Sequence, residues 1–286
     1  MTKLPFAVCT PWHNPEQRDK FLAAWGIMTD DIPPYLFLQQ DTDRSGCAIT
    51  KNRAIQCAYD AGAEVIIVLD DDCFPSPEDS YAKNFCHWRS LCNPTPNPIP
   101  KFMRPFENFA EAHVAALEPK PVQLFRTVTT PFSRGTPFLP QNRTVTMPVA
   151  ASMGHWTEVG DYDAPSQLVH GATHPMTFDR ESVHGQYFAL SGMNLAFRRE
   201  WWPVAQFINV ARYDDIWQGI IWQRIAYERG YCFNLAGPLV RHSRQSNVWA
   251  NLRDETVHVE ANDTLWQKIH ASKATDYASL RALLPV

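Results

Sequence analysis

Val65-Ile66-Ile67-Val68-Leu69-Asp70-Asp71-Asp72-Cys73-Phe74 is the stretch from which the rest of this chain is read. Five apolar residues in succession, four of them β-branched, predict a strand buried on both faces, as in a parallel sheet. Three carboxylates follow at once. Side chains alternate along an extended chain, so Asp70 and Asp72 are expected on one side and Asp71 on the other. That pairs two carboxylates at the carboxyl end of a strand, where open α/β sheets bind ligands. Crowded acids repel one another, and a hard divalent cation shared with a diphosphate relieves the repulsion. A solvated acidic turn that caps a helix is the plainer reading. The strand before the acids and the break Phe74-Pro75-Ser76-Pro77 after them favour the metal and diphosphate, as in nucleotide-sugar enzymes.

Upstream, residues 6–10 read as a first strand and 15–26 as a helix that stops at Gly26. Residues 35–40 read as a second strand, 41–46 as polar loop and 50–61 as a helix closed by Gly62. This β-α-β-α-β run predicts a right-handed parallel sheet, with the loop after Thr10 and the Asp loop on one rim. Lys51 begins the second helix near that rim, either as a cation for a phosphate or as a surface lysine.

At 286 residues, 45% apolar and 20% charged, the chain fits one large soluble α/β domain. It is expected over 1–260, with an irregular insertion at about 75–125 and a helical tail at 261–286 that packs on the domain or on a second subunit of a homo-oligomer. A net charge of -4 gives no overall basic footprint for nucleic acid, although Arg241, Arg244 and Arg253 form a local basic group. Seven cysteines, odd in number and without a C-x-x-C pair, point to a reduced, cytoplasmic protein. No segment approaches the roughly 20 apolar residues of a membrane span. Cys86, His87 and Cys92 have the spacing of no standard metal site and are read as core or surface.

Downstream, Arg134-Gly135 lets a guanidinium anchor a diphosphate or a sugar, or simply pair with a carboxylate. Residues 154–165 read as a loop of acids and aromatics suited to sugars. Residues 187–197 alternate like a strand interrupted at Ser191-Gly192. The segment from Arg212 to about 229 is the best amphipathic helix, with Asp214 and Asp215 at its start as caps, sugar contacts or base. Residues 232–236 read as a late strand from which Pro238 leads away, and His242 as a surface residue or third metal ligand.

Taken together, Asp70-Asp71-Asp72-Cys73-Phe74, Arg134-Gly135-Thr136-Pro137-Phe138, Asp161-Tyr162-Asp163-Ala164-Pro165, Gly192-Met193-Asn194-Leu195, Arg212-Tyr213-Asp214-Asp215-Ile216-Trp217 and His242-Ser243-Arg244-Gln245-Ser246-Asn247 resemble, in order, the reversibly glycosylated polypeptides, which include the UDP-arabinopyranose mutases. The resemblance implies a GT-A fold, an α/β fold with a central, mostly parallel sheet and C-terminal helices. It also implies a UDP-sugar donor and a divalent cation, Mn2+ or Mg2+. By that analogy Asp70, Asp72 and His242 hold the metal. Thr10, Lys51, Asp70, Asp71, Asp163, Asn194 and Arg212 contact the UDP-sugar, and Arg134, Asp214 and Asp215 are catalytic. Arg134 falls on the reversibly glycosylated arginine, whereas Arg143 is displaced from the family's second arginine. The expected activity is that of a metal-dependent UDP-sugar enzyme, either a glycosyltransferase or a UDP-sugar pyranose/furanose mutase. A glycosyltransferase acting on a glycan, a protein or a hydroxylated DNA base is the alternative, and a non-catalytic sugar-nucleotide-binding subunit the second alternative.

Overall fold

Strands β1 (Phe6–Trp12), β2 (Leu36–Gln40) and β3 (Val65–Leu69), with helices α1 (Pro15–Ala24) and α2 (Cys47–Asp60) between them, form the expected β-α-β-α-β run. β1 lies parallel to both β2 and β3. The computed structural model describes residues 4–42, 46–76, 105–125, 134, 137, 139–173, 181–243 and 246–285. The further elements are β4 (Cys73–Pro75), α3 (Pro105–Ala116), β5 (Lys120–Gln123), β6 (Thr144–Met147), β7 (Val149–Glu158), α4 (Ala164–His170), β8 (Ser182–Val183), β9 (Asn194–Arg198), α5 (Asp214–Glu228), β10 (Cys232–His242), α6 (Val248–Thr256), α7 (Val259–Ala271) and α8 (Tyr277–Arg281).

The main sheet runs β2-β1-β3-β9-β7-β10-β4, with β8 also paired to β10. Strands β1, β2, β3, β7 and β10 point one way and β4, β8 and β9 the other, which makes the sheet mostly parallel. Every residue of β3 is buried. Alternation sends Ile66 and Val68 into a core formed with α2, α5, α7 and α8, and Val65, Ile67 and Leu69 into a second core with α1 and α3. The result is a layer of helices on each face.

Several boundaries differ from the sequence reading. The acids after β3 do not continue an extended strand. They form a turn in which the Cys73 N–H donates to the Asp70 carbonyl at 3.1 Å, and the supposed break after it is β4, antiparallel to β10. β10 does not end before Pro238 but runs to His242, with register shifts on both sides of Gly237 that accommodate the proline. Residues 154–158 are not loop but the end of β7. Gly154 is required there, because a Cβ would stand 2.2 Å from the Pro238 carbonyl oxygen and from Asn194 Nδ2. Of residues 187–197, only those from Asn194 onward are strand.

α5 is buried on nearly all sides from Trp217 to Ala226 rather than along one stripe. In the expected insertion, Phe106, Phe109 and Ala110 of α3 join the second core, while 77–104, with Cys86, His87 and Cys92, lie outside the described residues. The C-terminal helices pack on this chain's own domain through Leu265, Ile269, Leu280 and Leu284. Among the described residues, no helix is long and apolar enough to cross a membrane.

Candidate functional site

The carboxyl ends of β1, β2 and β3 open onto two adjoining cavities that meet at the Asp turn. The larger, about 370 Å3, is lined by Lys51, Asp70, Asp72, Asp163, Arg212, Asp214, Asp215 and His242. Eight expected site residues, scattered over most of the chain, thus share one cleft. The smaller, about 210 Å3, lies among Trp12, His13, Asp41 and Asp71, with Asp70 and Asp72 common to both. Asp71 lines only the smaller cavity.

Lys51 sits on α2 with its side chain only 5% exposed. Its Nζ stands 2.8 Å from Asp70 Oδ1 and 3.1 Å from Oδ2, and donates to the Gly192 carbonyl at 3.2 Å. Burial works against its charge, but Asp70, Cys47, Asp214 and Asp215 together hold its pKa well above the ordinary lysine value. Burial raises the Asp70 pKa, Lys51 opposes that, and Asp72 adds to it. The partly buried acids at the start of α5 are raised too. Burial, then Asp214 beside it, pushes Asp215 up to about 7, while Asp215 Oδ2 accepts the Gly192 N–H at 2.8 Å.

His242 ends β10 opposite the Asp turn. Its Nδ1 donates to the Val159 carbonyl at 2.8 Å, which leaves the Nε2 lone pair facing Asp72 Oδ2 at 3.7 Å. Burial pushes the imidazole pKa down and Asp72 pushes it up, with a net rise. A buried carboxylate and an oriented imidazole nitrogen suit a divalent cation as a pair. Among the described residues, however, no group of three His, Cys, Asp or Glu side chains could hold a metal ion by itself. Asp70, expected as a ligand, is instead engaged by Lys51.

Arg212 lies on the opposite rim at φ 65, one of two described non-glycine residues with positive φ. The other is Glu158 at φ 72, next to the Val159 carbonyl that orients His242. Left-handed backbone at such residues costs roughly 1–3 kcal/mol and is held in place by its surroundings. At Arg212 the holder is Glu255 of α6, itself 5% exposed. Its Oε1 accepts from Arg212 Nε at 3.0 Å and its Oε2 from the Ala164 N–H at 2.8 Å. Asp163 lines the cleft while capping α4 through Ser166.

Four expected residues are not brought to the larger cleft, Asp71 among them because it lines only the smaller cavity. Thr10 is fully buried in β1, with its Oγ1 lacking a hydrogen-bond partner among the described residues. Asn194 is also fully buried, and its amide joins three elements: Oδ1 meets His113 Nε2 at 2.8 Å, and Nδ2 donates to the carbonyls of His155 and Pro238. Arg134 stands in an exposed turn and is not among the residues that line the cleft. Conversely, the cleft holds Asp161, Tyr162 and Glu255, which the sequence reading did not single out. The first two flank Asp163 in a quoted motif; Glu255 carries no sequence signal.

Residues 105–279 match the family described as "Reversibly glycosylated polypeptide". Probable UDP-arabinopyranose mutase 1 of Pisum sativum is 30% identical over 228 residues, covering 74% of this chain and 56% of that protein. UDP-arabinopyranose mutase 3 of Arabidopsis thaliana is 29% identical over 248 residues, covering 79% and 59%. The chain belongs to the reversibly glycosylated polypeptide family, and its α/β sheet is mostly parallel. It spans less than two thirds of the length of these relatives.

Proposed function

We propose that this protein is a divalent-cation-dependent UDP-sugar mutase. The observation that carries the reading is the cleft itself, where Lys51 and Arg212 supply cations and Asp214 and Asp215 supply carboxylates around one cavity at the strand ends. Similarity to proteins named UDP-arabinopyranose mutases supports the same reading. Asp72 and His242 would hold Mn2+ or Mg2+, with the remaining positions left for diphosphate oxygens. Such an ion supplies charge stabilisation to the departing diphosphate.

The chain's own residues do the rest. Lys51 and Arg212 offset the negative charge that grows on UDP as the anomeric carbon–oxygen bond breaks. Asp215, near neutrality in its protonation, exchanges protons with the sugar hydroxyls as the ring reopens and closes on a different oxygen. UDP then re-forms its bond to the rearranged sugar, so substrate and product are isomers. Arg134, exposed and outside the cleft lining, takes no part in these steps. A reducing cytoplasm fits Cys9, Cys47, Cys57, Cys73 and Cys232, all free thiols.

The test is product analysis with a panel of UDP-pentoses and UDP-hexoses, with and without Mn2+. An isomerised UDP-sugar formed without acceptor is expected. Release of UDP and free sugar alone would reject the mutase in favour of a transferase awaiting its acceptor. Asp72→Ala is expected to abolish the Mn2+-dependent part of UDP binding in calorimetry, and unchanged binding would remove Asp72 from the metal assignment.

Glu255 enters as a positioning residue. In Glu255→Gln the charge that holds Arg212 is gone while the side-chain shape is kept. A charged hydrogen bond of this kind is worth roughly 1.5–3 kcal/mol, so KM for the UDP-sugar is expected to rise on the order of tenfold with kcat little changed. An unchanged KM would mean that Arg212 keeps its place without Glu255.

A further inference from the structure

A third cavity, about 490 Å3, opens beside the cleft on the side of α7. Ala189 and Ile216 line both spaces, and Ile216 follows Asp215 in α5. The partition between them is firmly built. Phe188 donates its N–H to Gln223 Oε1 and accepts from Gln223 Nε2, each at 2.9 Å. Gly219 lets the same segment press against α5, since a Cβ there would stand 2.4 Å from Leu190 Cβ.

The groove's wall is aromatic. The rings of Tyr187 and Trp266 lie 5.8 Å apart and inclined at 43°, the Tyr187 hydroxyl meets His270 Nδ1 at 3.4 Å, and Trp266 is 42% exposed. Gln186 and Asn262 add neutral polar edges. No Lys, Arg, Asp or Glu is among the described residues that line it, in contrast to the cleft next door. Ring faces with uncharged hydrogen-bonding groups at their edges match a ligand that has apolar faces, many hydroxyls and no charge. A phosphate-bearing ligand would find no cation there.

We propose that this groove binds a neutral saccharide alongside the donor cleft. The saccharide binding does not rest on the UDP-sugar reading.

The test uses cellotetraose, xylotetraose and maltotetraose as probes, titrated by calorimetry and saturation-transfer NMR, with UDP and Mn2+ titrated separately. At least one tetrasaccharide is expected to bind saturably to the wild-type chain. Trp266→Ala is expected to weaken it about tenfold or more, Trp266→Phe to restore most of it, and neither to alter UDP binding. No saturable tetrasaccharide binding to the wild type, equal binding to Trp266→Ala, or a matching loss of UDP affinity would each overturn the groove as a saccharide site. A wild-type chain that binds a tetrasaccharide but not UDP would instead overturn the donor reading and leave the groove standing.

Discussion

Asp215→Asn is expected to lower kcat on UDP-sugar by roughly 10²–10⁴-fold, the usual contribution of a positioned proton-transfer group, while leaving UDP binding in place. The carboxyl is partly buried beside Asp214, which with burial pushes its pKa up to about 7, so its base form grows as pH rises through neutrality. Wild-type kcat is expected to climb over that range and level off above it, and the variant to lose that limb. Folding gives the opposite sign. A pKa of about 7 in the folded chain against the model-compound 3.8 means that the folded state holds a proton the unfolded state has lost between these values. Stability therefore declines as pH rises from about 4 to about 7 and stays reduced above. Asparagine removes that charge and can still accept the Gly192 N–H, so the variant should melt higher than wild type at pH 8 while turning over far less. A variant with wild-type kcat would exclude Asp215 from proton transfer. One that melts lower at pH 8 would show that the carboxylate is stabilising where burial says it is not.

The β-α-β-α-β half was legible because its signals are local. A β-branched run, glycine stops and a polar loop before α2 each act within a few residues, and β1, α1, β2, α2 and β3 stand where those signals place them. β7 and β10 were harder to read because what keeps them extended lies far away in sequence. Gly154 and Gly237 pack backbone against backbone, with a Cβ on Gly237 lying 2.8 Å from the Gly154 nitrogen, and the register shifts there absorb Pro238. The same distinction holds in the site. Asp70, Asp72, the Asp214-Asp215 pair and His242 carried chemical signals of crowding or ligation, and all of them face the cleft. Asn194 was read as a ligand contact from the family resemblance. Its amide instead satisfies buried carbonyls of β7 and β10, a need that shows only when those strands are side by side. Glu255 was invisible because an isolated glutamate on a polar helix is ordinarily solvated, and only the fold sets it against Arg212.

Lys51→Met should remove UDP-sugar turnover and also destabilise the chain by roughly 3–5 kcal/mol, the cost of leaving one partner of a buried ion pair without the other. The side chain keeps its length and its apolar stem, so what is lost is the ammonium that meets both Asp70 oxygens and the Gly192 carbonyl. Asp70 then stands near Asp72 and Asp214 with no cation in contact, and those neighbours already raise its pKa. Adding Asp70→Asn takes away the stranded charge, and the double variant should recover most of the stability without recovering activity. Urea unfolding of wild type, both single variants and the double variant at pH 7.5 gives the coupling energy directly. A Lys51→Met chain as stable as wild type would mean that the pair contributes nothing to the fold. Recovered turnover in the double variant would mean that Lys51 serves only to neutralise Asp70. Stability restored with activity still absent separates the two roles: Asp70 is the lysine's structural partner, and the diphosphate is what its charge is there to meet.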